Sequence, residues 1–320
     1  WSGDARMRYQ DKGNNTDNWD GRMRINVKGQ VNDATYVQGR LVSNMNFKGD
    51  QTADTYMDQV FVNHNFGKDV AVRLGRQPIV FGNQGGWLYG DAKGYDGAQV
   101  SYNNGKLALT TGFGQLNTSG AALLDSKKDK DGNEVLDNIG QDRDFYFAQG
   151  AYDFGVAKLN ADYIATKKVA ADKQNQEIYG VGLNVPIQKF NVFGEYYKNT
   201  TVSDYDTAWN AGLSYGKADW KKVGSWDLSV AYNDVDKGVY FGGTGLQTSA
   251  LGLLNTTLQN GKDNKKVHVD GDSNVTFWNA IANVTLQKNV QLHAEYAFAA
   301  DAENAADPDD AWTVSLNYKF

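Results

Sequence analysis

The chain has 320 residues and a formal net charge of −6, which argues against a nucleic-acid-binding surface. It contains no cysteine, so it forms neither disulfides nor thiolate metal sites. No apolar run approaches the roughly 18 residues that a transmembrane helix needs, and 35 glycines, 18 tyrosines and only 3 prolines favour strands joined by turns. Trp1 in place of an initiator Met predicts a processed or trimmed chain.

Apolar and polar residues alternate from the start of the chain to its end, which is the period of a β-strand. On the first segment Met7 and Tyr9 alternate with Arg6 and Arg8. We count sixteen such segments. In chain order their apolar faces include Met7, Met23, Leu41, Val62, Leu74, Val100, Leu109, Ala148, Leu159, Val181, Val192, Leu213, Leu228, Ala282, Leu292 and Leu316.

The connections between these segments alternate in length. Those after odd-numbered segments are mostly long and those after even-numbered segments are short, which is typical of an up-and-down barrel in an outer membrane. Aromatic residues at segment ends predict two interfacial girdles: Trp19, Phe66, Tyr102, Tyr152, Tyr215, Trp226, Trp312 and Phe320. The sequence therefore predicts an all-β fold, a single domain over residues 1–320 that forms a 16-stranded antiparallel transmembrane β-barrel.

The fifth connection, within Val70–Tyr102, is unusual for a link between paired strands. Residues 81–96 include the aromatics Phe81, Trp87 and Tyr89 and several glycines, so the segment is polar enough to meet water and apolar enough to pack. We expect it to fold into the barrel as a constriction loop after strand 5. Its candidate pore residues are Phe81, Trp87, Tyr89, Asp91 and Lys93, of which Asp91 and Lys93 would project into the opening.

Three features give the chain a resemblance to a known family: the run Leu74-Gly75-Arg76-Gln77, the arginines of the first strands, and the alternation from Trp312 to Phe320. The whole chain resembles a bacterial outer-membrane general porin of the sixteen-stranded, homotrimeric kind. This resemblance implies a constriction loop after strand five and an assembly signal at Phe320. In its details the chain resembles the barrel of OmpM-type porins of Negativicutes. Those carry an N-terminal S-layer-homology domain that tethers them to the cell wall, and no such domain is present in this sequence.

Because side chains alternate between the two faces of a strand, the position of a residue in the alternation (its parity) predicts which face it occupies. This rule places seven cations on the inner face of strands one, two, three and five, so they share one wall: Arg6, Arg8, Arg22, Arg24, Lys28, Arg40 and Arg73. The opposite wall has four inward acids: Asp162, Glu195, Asp227 and Glu295. Opposed charges give a transverse field that orients polar solutes. The alternative is that the arginines are only solvated or paired. A lipid-facing position is excluded, because an Arg at the membrane midplane costs about 2–4 kcal/mol.

The predicted function is passive diffusion of ions and small hydrophilic solutes, with no catalytic residue, cofactor or metal. The sign of the ion selectivity stays open. Three alternatives also stay open: a substrate-specific sugar or anion channel, with an aromatic slide of Trp87, Tyr89, Phe61 and Tyr36 for sugars; a structural or adhesive barrel; and a lipid hydrolase built around His64.

Two further segments lie in long connections and are judged for a metal site and for a helix. Residues 129–134 depart from the calcium-loop pattern and predict no metal site. The leucine-rich residues 238–258 predict a short helix on the barrel mouth.

Overall fold

The computed structural model describes residues 1–13, 17–48, 53–90, 94–116, 124–128, 134–138, 144–166, 176–202, 204–240, 243–254, 257–260, 266–269 and 272–320. For residues 116, 124–128, 134–138, 257–260 and 266–269 only the backbone is described.

Sixteen antiparallel strands close into one barrel, as the alternation predicted. Numbered in chain order with the strands outside the barrel, they are β1 (Ser2–Asp11), β2 (Asp17–Asn32), β3 (Thr35–Asn46), β4 (Asp54–Phe66), β5 (Val70–Gln77), β6 (Tyr95–Asn103), β7 (Leu107–Leu116), β10 (Asp144–Asp153), β11 (Lys158–Thr166), β12 (Gln176–Ile187), β13 (Phe190–Asn199), β14 (Thr207–Gly216), β15 (Trp226–Asp236), β18 (Asn274–Gln287), β19 (Val290–Ala302) and β20 (Ala311–Lys319).

Two hairpins lie outside the barrel, both within long connections. One pairs β8 (Leu124–Lys128) with β9 (Glu134–Asn138), and the other pairs β16 (Thr257–Asn260) with β17 (Lys266–Val269). We call the end of the barrel with the long connections the loop end, and the opposite end the turn end.

The barrel is closed by the first and last strands, which pair from Asp4 and Lys319 at the turn end to Asp11 and Trp312 at the loop end. Backbone hydrogen bonds of 2.8 Å and 3.0 Å join Gly3 and Phe320, and the Phe320 ring packs edge-on against Trp1 at 5.8 Å. Closure pairs the backbone groups that an open sheet would leave at its edges, which is the condition for a sheet in hydrocarbon.

The two faces of the barrel differ as the alternation predicts. Outward side chains such as Met23, Leu74 and Val181 are exposed and apolar, whereas their inward neighbours are polar or buried. Tyr146 and Trp209 form part of an aromatic level near the loop end, and each is followed six residues later by a tyrosine near the turn end. An apolar band between two aromatic levels is the surface that a transmembrane barrel presents to lipid.

The inner face is not polar throughout. Toward the loop end, β10, β11, β12 and β18 turn large apolar side chains inward: Phe145, Phe147, Ile164, Ile178 and Phe277 are all buried. These strands are apolar on both faces there, so something other than water must cover their inner side. That cover is formed by two chain segments that fold into the lumen.

Candidate channel constriction

The first segment in the lumen follows β5, and its described part is residues 78–90. We call it the first insert. Phe81 and Tyr89 are buried in it, with ring centroids 5.8 Å from Phe147 and 5.1 Å from Tyr197 respectively. The Phe81 amide donates to the Tyr89 carbonyl at 3.2 Å, so the insert folds back on itself. The predicted constriction loop therefore lies inside the barrel, and its aromatic residues form a core.

A second insert, residues 237–254 without 241–242, follows β15 and packs on the first. The Gly245 amide donates to the Gly86 carbonyl at 2.7 Å, and the Tyr89 hydroxyl donates to the Val239 carbonyl. The backbones approach so closely that a Cβ on Gly90 would lie 2.6 Å from the Gly245 nitrogen. The two inserts thus form one folded unit across the lumen.

The second insert ends in a 3₁₀ helix, Ala250–Leu254, with Leu251 and Leu254 buried. A short helix was expected in this segment, and it packs against β18 and β19 inside the shared core. Of the helices among the described residues, none is long and apolar enough to cross a membrane.

Two buried carboxylates on the barrel wall hold the inserts. Glu195 on β13 accepts the Gln84 amide at 2.7 Å, and Glu295 on β19 accepts the Gln247 and Thr248 amides, each at 2.8 Å. We call these contacts the carboxylate clasps. Gly82, with φ of +81°, makes room for the first clasp, since a Cβ there would lie 2.5 Å from Glu195 oxygens.

The four acids predicted to oppose the arginines do not form an open acidic wall, and Glu295 on β19 lies only two strands from β1, which carries Arg6 and Arg8. Glu195, Glu295 and Asp162 are buried, because the inserts cover this side of the lumen. Asp162 accepts hydrogen bonds from Asn160 Nδ2 at 2.8 Å and from the Tyr197 hydroxyl at 3.3 Å. Asp227 lies near the turn end and accepts the Ala218 amide at 2.8 Å.

Burial within the inserts raises the pKa of two tyrosines. It raises the pKa of Tyr240 to about 12 and the pKa of Tyr89 well above its ordinary value. The Tyr89 hydroxyl is the donor in the bond to the Val239 carbonyl of the second insert.

The cations predicted on the first strands all face inward, and five of the seven pair with carboxylates. The shortest contacts in the pairs are Arg6–Asp20 at 3.4 Å, Arg8–Asp20 at 2.7 Å, Arg22–Asp4 at 3.6 Å, Arg24–Asp4 at 2.9 Å and Arg40–Asp58 at 2.6 Å. Seven cations thus face three carboxylates, so this basic wall keeps a net positive charge.

Asp58 joins the basic wall through a β-bulge. The register shifts between Arg40 and Leu41, which face Gln59 and Met57 on β4, so Asp58 is the extra residue. Strict alternation would not place both Asp58 and Gln59 inside the barrel. The bulge is therefore the reason that sequence parity missed this partner of Arg40.

The other two cations of the wall lie over aromatic rings. The Arg73 guanidinium is 4.5 Å from the Phe61 ring centre, and Lys28 Nζ is 3.9 Å from that of Tyr36. With Trp87 and Tyr89 buried in the core, these four rings do not form a continuous aromatic surface along the lumen. The geometry does not support the sugar slide considered as an alternative.

The remaining sequence candidates are two charged residues of the constriction loop, the calcium-loop-like segment and His64. Asp91 and Lys93, and residues 129–133, lie outside the described residues. The part of the chain that the structure describes contains no group of three His, Asp or Glu side chains placed to hold a metal ion. His64 contacts the Thr35 hydroxyl at 2.7 Å through Nδ1, but within the described ranges no carboxylate or amide orients its other ring nitrogen, as a hydrolase triad requires.

Comparison with known proteins supports the fold. No protein-family model matches the chain, and neither does any curated protein. Among solved structures, a mutant of the Rh. blastica porin aligns over 100% of this chain and 99% of its own at 13% identity, with a TM-score of 0.60. Salmonella typhi OmpF in complex with daunomycin aligns over 100% of this chain and 96% of its own at 15% identity, with a TM-score of 0.60. Pseudomonas putida OprB aligns over 100% of this chain and 93% of its own at 9% identity, with a TM-score of 0.62.

The fold is therefore that of the bacterial outer-membrane porins: a closed sixteen-stranded barrel with a chain segment folded into its lumen. At these identities the likeness concerns the fold alone, and the function has to be argued from the residues of this chain.

Proposed function

We propose that this protein is an outer-membrane channel through which ions and small hydrophilic solutes diffuse passively. The observation that supports this best is the basic wall. Arg22, Arg24, Arg40 and Arg73 line the lumen opposite the side that the inserts fill, and most keep partial solvent exposure. Charged groups in a closed barrel need enclosed water, and water that spans the barrel conducts.

Reconstitution into planar bilayers and liposomes tests this proposal. The purified protein should give discrete conductance steps in KCl and should let small sugars swell liposomes. A barrel that serves only as a structural or adhesive element, with its lumen plugged by the inserts, would give neither steps nor swelling.

We also propose that the channel is a homotrimer, and that β5 and β6 lie in the subunit interface. Arg76 and Asp96 form an outward ion pair at 2.6 Å, each side chain being about 40% exposed. The ion pair lies near the loop end, six residues from the pair Val70 and Tyr102 at the turn end. At the level of the ion pair, β10 and β14 each carry an aromatic residue instead. An ion pair at the level of the aromatic girdle is better accommodated by a protein partner than by lipid. Closed symmetry is, in addition, the commonest arrangement for identical chains.

Charge reversal tests this interface. We expect Arg76→Glu, which sets two carboxylates side by side, to convert the detergent-solubilised trimer largely to monomer, as measured by native mass spectrometry. Lys198→Glu is the matched control, because Lys198 is a similarly exposed outward cation, paired with Asp206, on the far side of the barrel. A trimer that survives Arg76→Glu would place the interface elsewhere.

Two finer assignments complete the proposal. The first is the OmpM-type resemblance, which rests on the details of the sequence pattern over the whole chain. A signal role for Phe320 is supported by its position as an exposed aromatic that ends the closing strand. The second assignment is tested by measuring the assembly of a Phe320→Ala variant through its heat-modifiable migration on gels. The variant should assemble less completely than the wild type.

A further inference from the structure

A cavity of about 320 Å³ lies beneath the inserts, against the inner wall of β14, β15 and β18. Its roof includes Trp87 of the first insert and Leu246 of the second, and small residues such as Ala231 leave room on the wall. The volume lies at the lower end of the range for ligand pockets, enough for one six-membered ring. It is separate from the basic wall, because none of the seven cations lines it.

Neutral hydrogen-bonding groups dominate the lining. Ser214 and Ser229 face each other across β14 and β15, and Asn279 lies one row nearer the loop end on β18. Asn279 donates through Nδ2 to the Thr248 carbonyl at 3.2 Å, which leaves its Oδ1 toward other partners. Among the described residues, neither serine hydroxyl takes part in a hydrogen bond. Hydroxyl and amide groups both donate and accept, as the hydroxyls of a sugar do.

Aromatic and charged residues narrow the choice of ligand. Trp87 and Phe193 line the cavity, and aromatic rings pack against the apolar face of a sugar ring. The charged lining residues are one cation and one anion, Lys217 and Asp227, so the cavity favours neither a cationic nor an anionic solute. A site built from such groups discriminates by hydrogen bonds to hydroxyls.

We propose that this cavity is a binding site for a neutral pyranose monosaccharide on its way through the channel. The site deepens the proposed function, since it makes a general diffusion channel retain one class of solute. It differs from an aromatic slide, because here the hydrogen-bonding groups of β14, β15 and β18 select the solute and the rings only cover it.

The test combines current recording with equilibrium binding, and uses D-glucose as the probe with gluconate for comparison. In wild-type channels D-glucose should reduce the KCl current saturably, and calorimetry in detergent should show binding, whereas gluconate should do neither. Ser214→Ala/Ser229→Ala should weaken both effects about ten-fold, as expected for two lost hydrogen bonds of roughly 0.5–1.5 kcal/mol each. Ala231→Leu should fill the cavity and abolish them.

The control is Ala282→Leu, which makes the same change on the outward face of β18. Heat-modifiable gel migration confirms that each variant is folded. Normal KCl conductance without saturable block or binding by D-glucose would overturn the site and leave the channel intact. Binding without any conductance would overturn the channel and leave the site. Equal block in the wild type and in folded Ala231→Leu would also refute the site.

Discussion

Replacing both clasp carboxylates, Glu195→Ala with Glu295→Ala, is expected to raise the single-channel conductance at least two-fold and to make the current noisy. The two side chains accept three backbone amides of the inserts between them. Without them these amides stay buried and unpaired, so the folded position of the inserts loses its attachment to β13 and β19.

The size of the effect follows from comparing the clasps with the apolar core. Three hydrogen bonds to carboxyl oxygens contribute about 0.5–3 kcal/mol each. Burial of Phe81, Leu88 and Tyr89 contributes a similar amount for each side chain, about 1.5–3 kcal/mol. Five further side chains of the inserts are also buried, namely Trp87, Val239, Tyr240, Leu251 and Leu254. The clasps therefore supply the smaller part of the stabilisation. Their loss should loosen the inserts for part of the time and should not expel them.

Two controls separate this effect from general damage. Glu177→Ala removes an outward carboxylate of β12 that lies outside the lumen, and its conductance should equal that of the wild type. Glu195→Gln keeps an acceptor oxygen for the Gln84 amide and should fall between the wild type and Glu195→Ala. A folded double variant with wild-type conductance would show that the inserts do not set the width of the channel.

The barrel itself follows from the sequence because alternation reports which side chains meet lipid. That pattern repeats on strand after strand, so errors in single positions do not change the count or the order. The apolar core of the lumen also leaves a trace in the sequence. In Phe145-Tyr146-Phe147 both faces of a strand are apolar, which indicates burial on both sides.

The site was less predictable, for two physical reasons. First, parity gives the wall on which a residue lies but not what covers it, so Glu195 and Glu295 were expected to face open water although the inserts bury them. Second, a bulge breaks the parity rule at Asp58, and no residue type marks a bulge in advance. The pairs of Asp4 and Asp20 could have been anticipated, because both share the parity of the arginines opposite them.

The second large effect concerns ion selectivity. We expect Arg24→Gln/Arg73→Gln to shift the zero-current potential in a KCl gradient toward the potassium equilibrium potential. Arg73 has no ion pair among the described residues and lies over Phe61, so its charge acts on the lumen without a compensating carboxylate. Removing Arg24 leaves the charge of Asp4 less compensated, which attracts cations in the same direction.

The magnitude can be estimated from the Coulomb energy. A unit charge about 6 Å from a permeating ion in water contributes about 0.7 kcal/mol, or roughly a three-fold change in local ion concentration. Two such changes should raise the ratio of potassium to chloride permeability several-fold at about 0.1 M salt. The shift should shrink at 1 M, where the screening length falls from about 10 Å to about 3 Å.

Lys198→Gln is the control for this measurement, since it removes the same charge from the outer surface. It should leave the zero-current potential unchanged, because a charge behind the barrel wall is separated from the permeating ions. If the double variant and Lys198→Gln gave the same potential, Arg24 and Arg73 would not line the conducting path. The net positive charge of the basic wall would then be a structural feature of the first strands, and selectivity would have to arise at another level of the barrel.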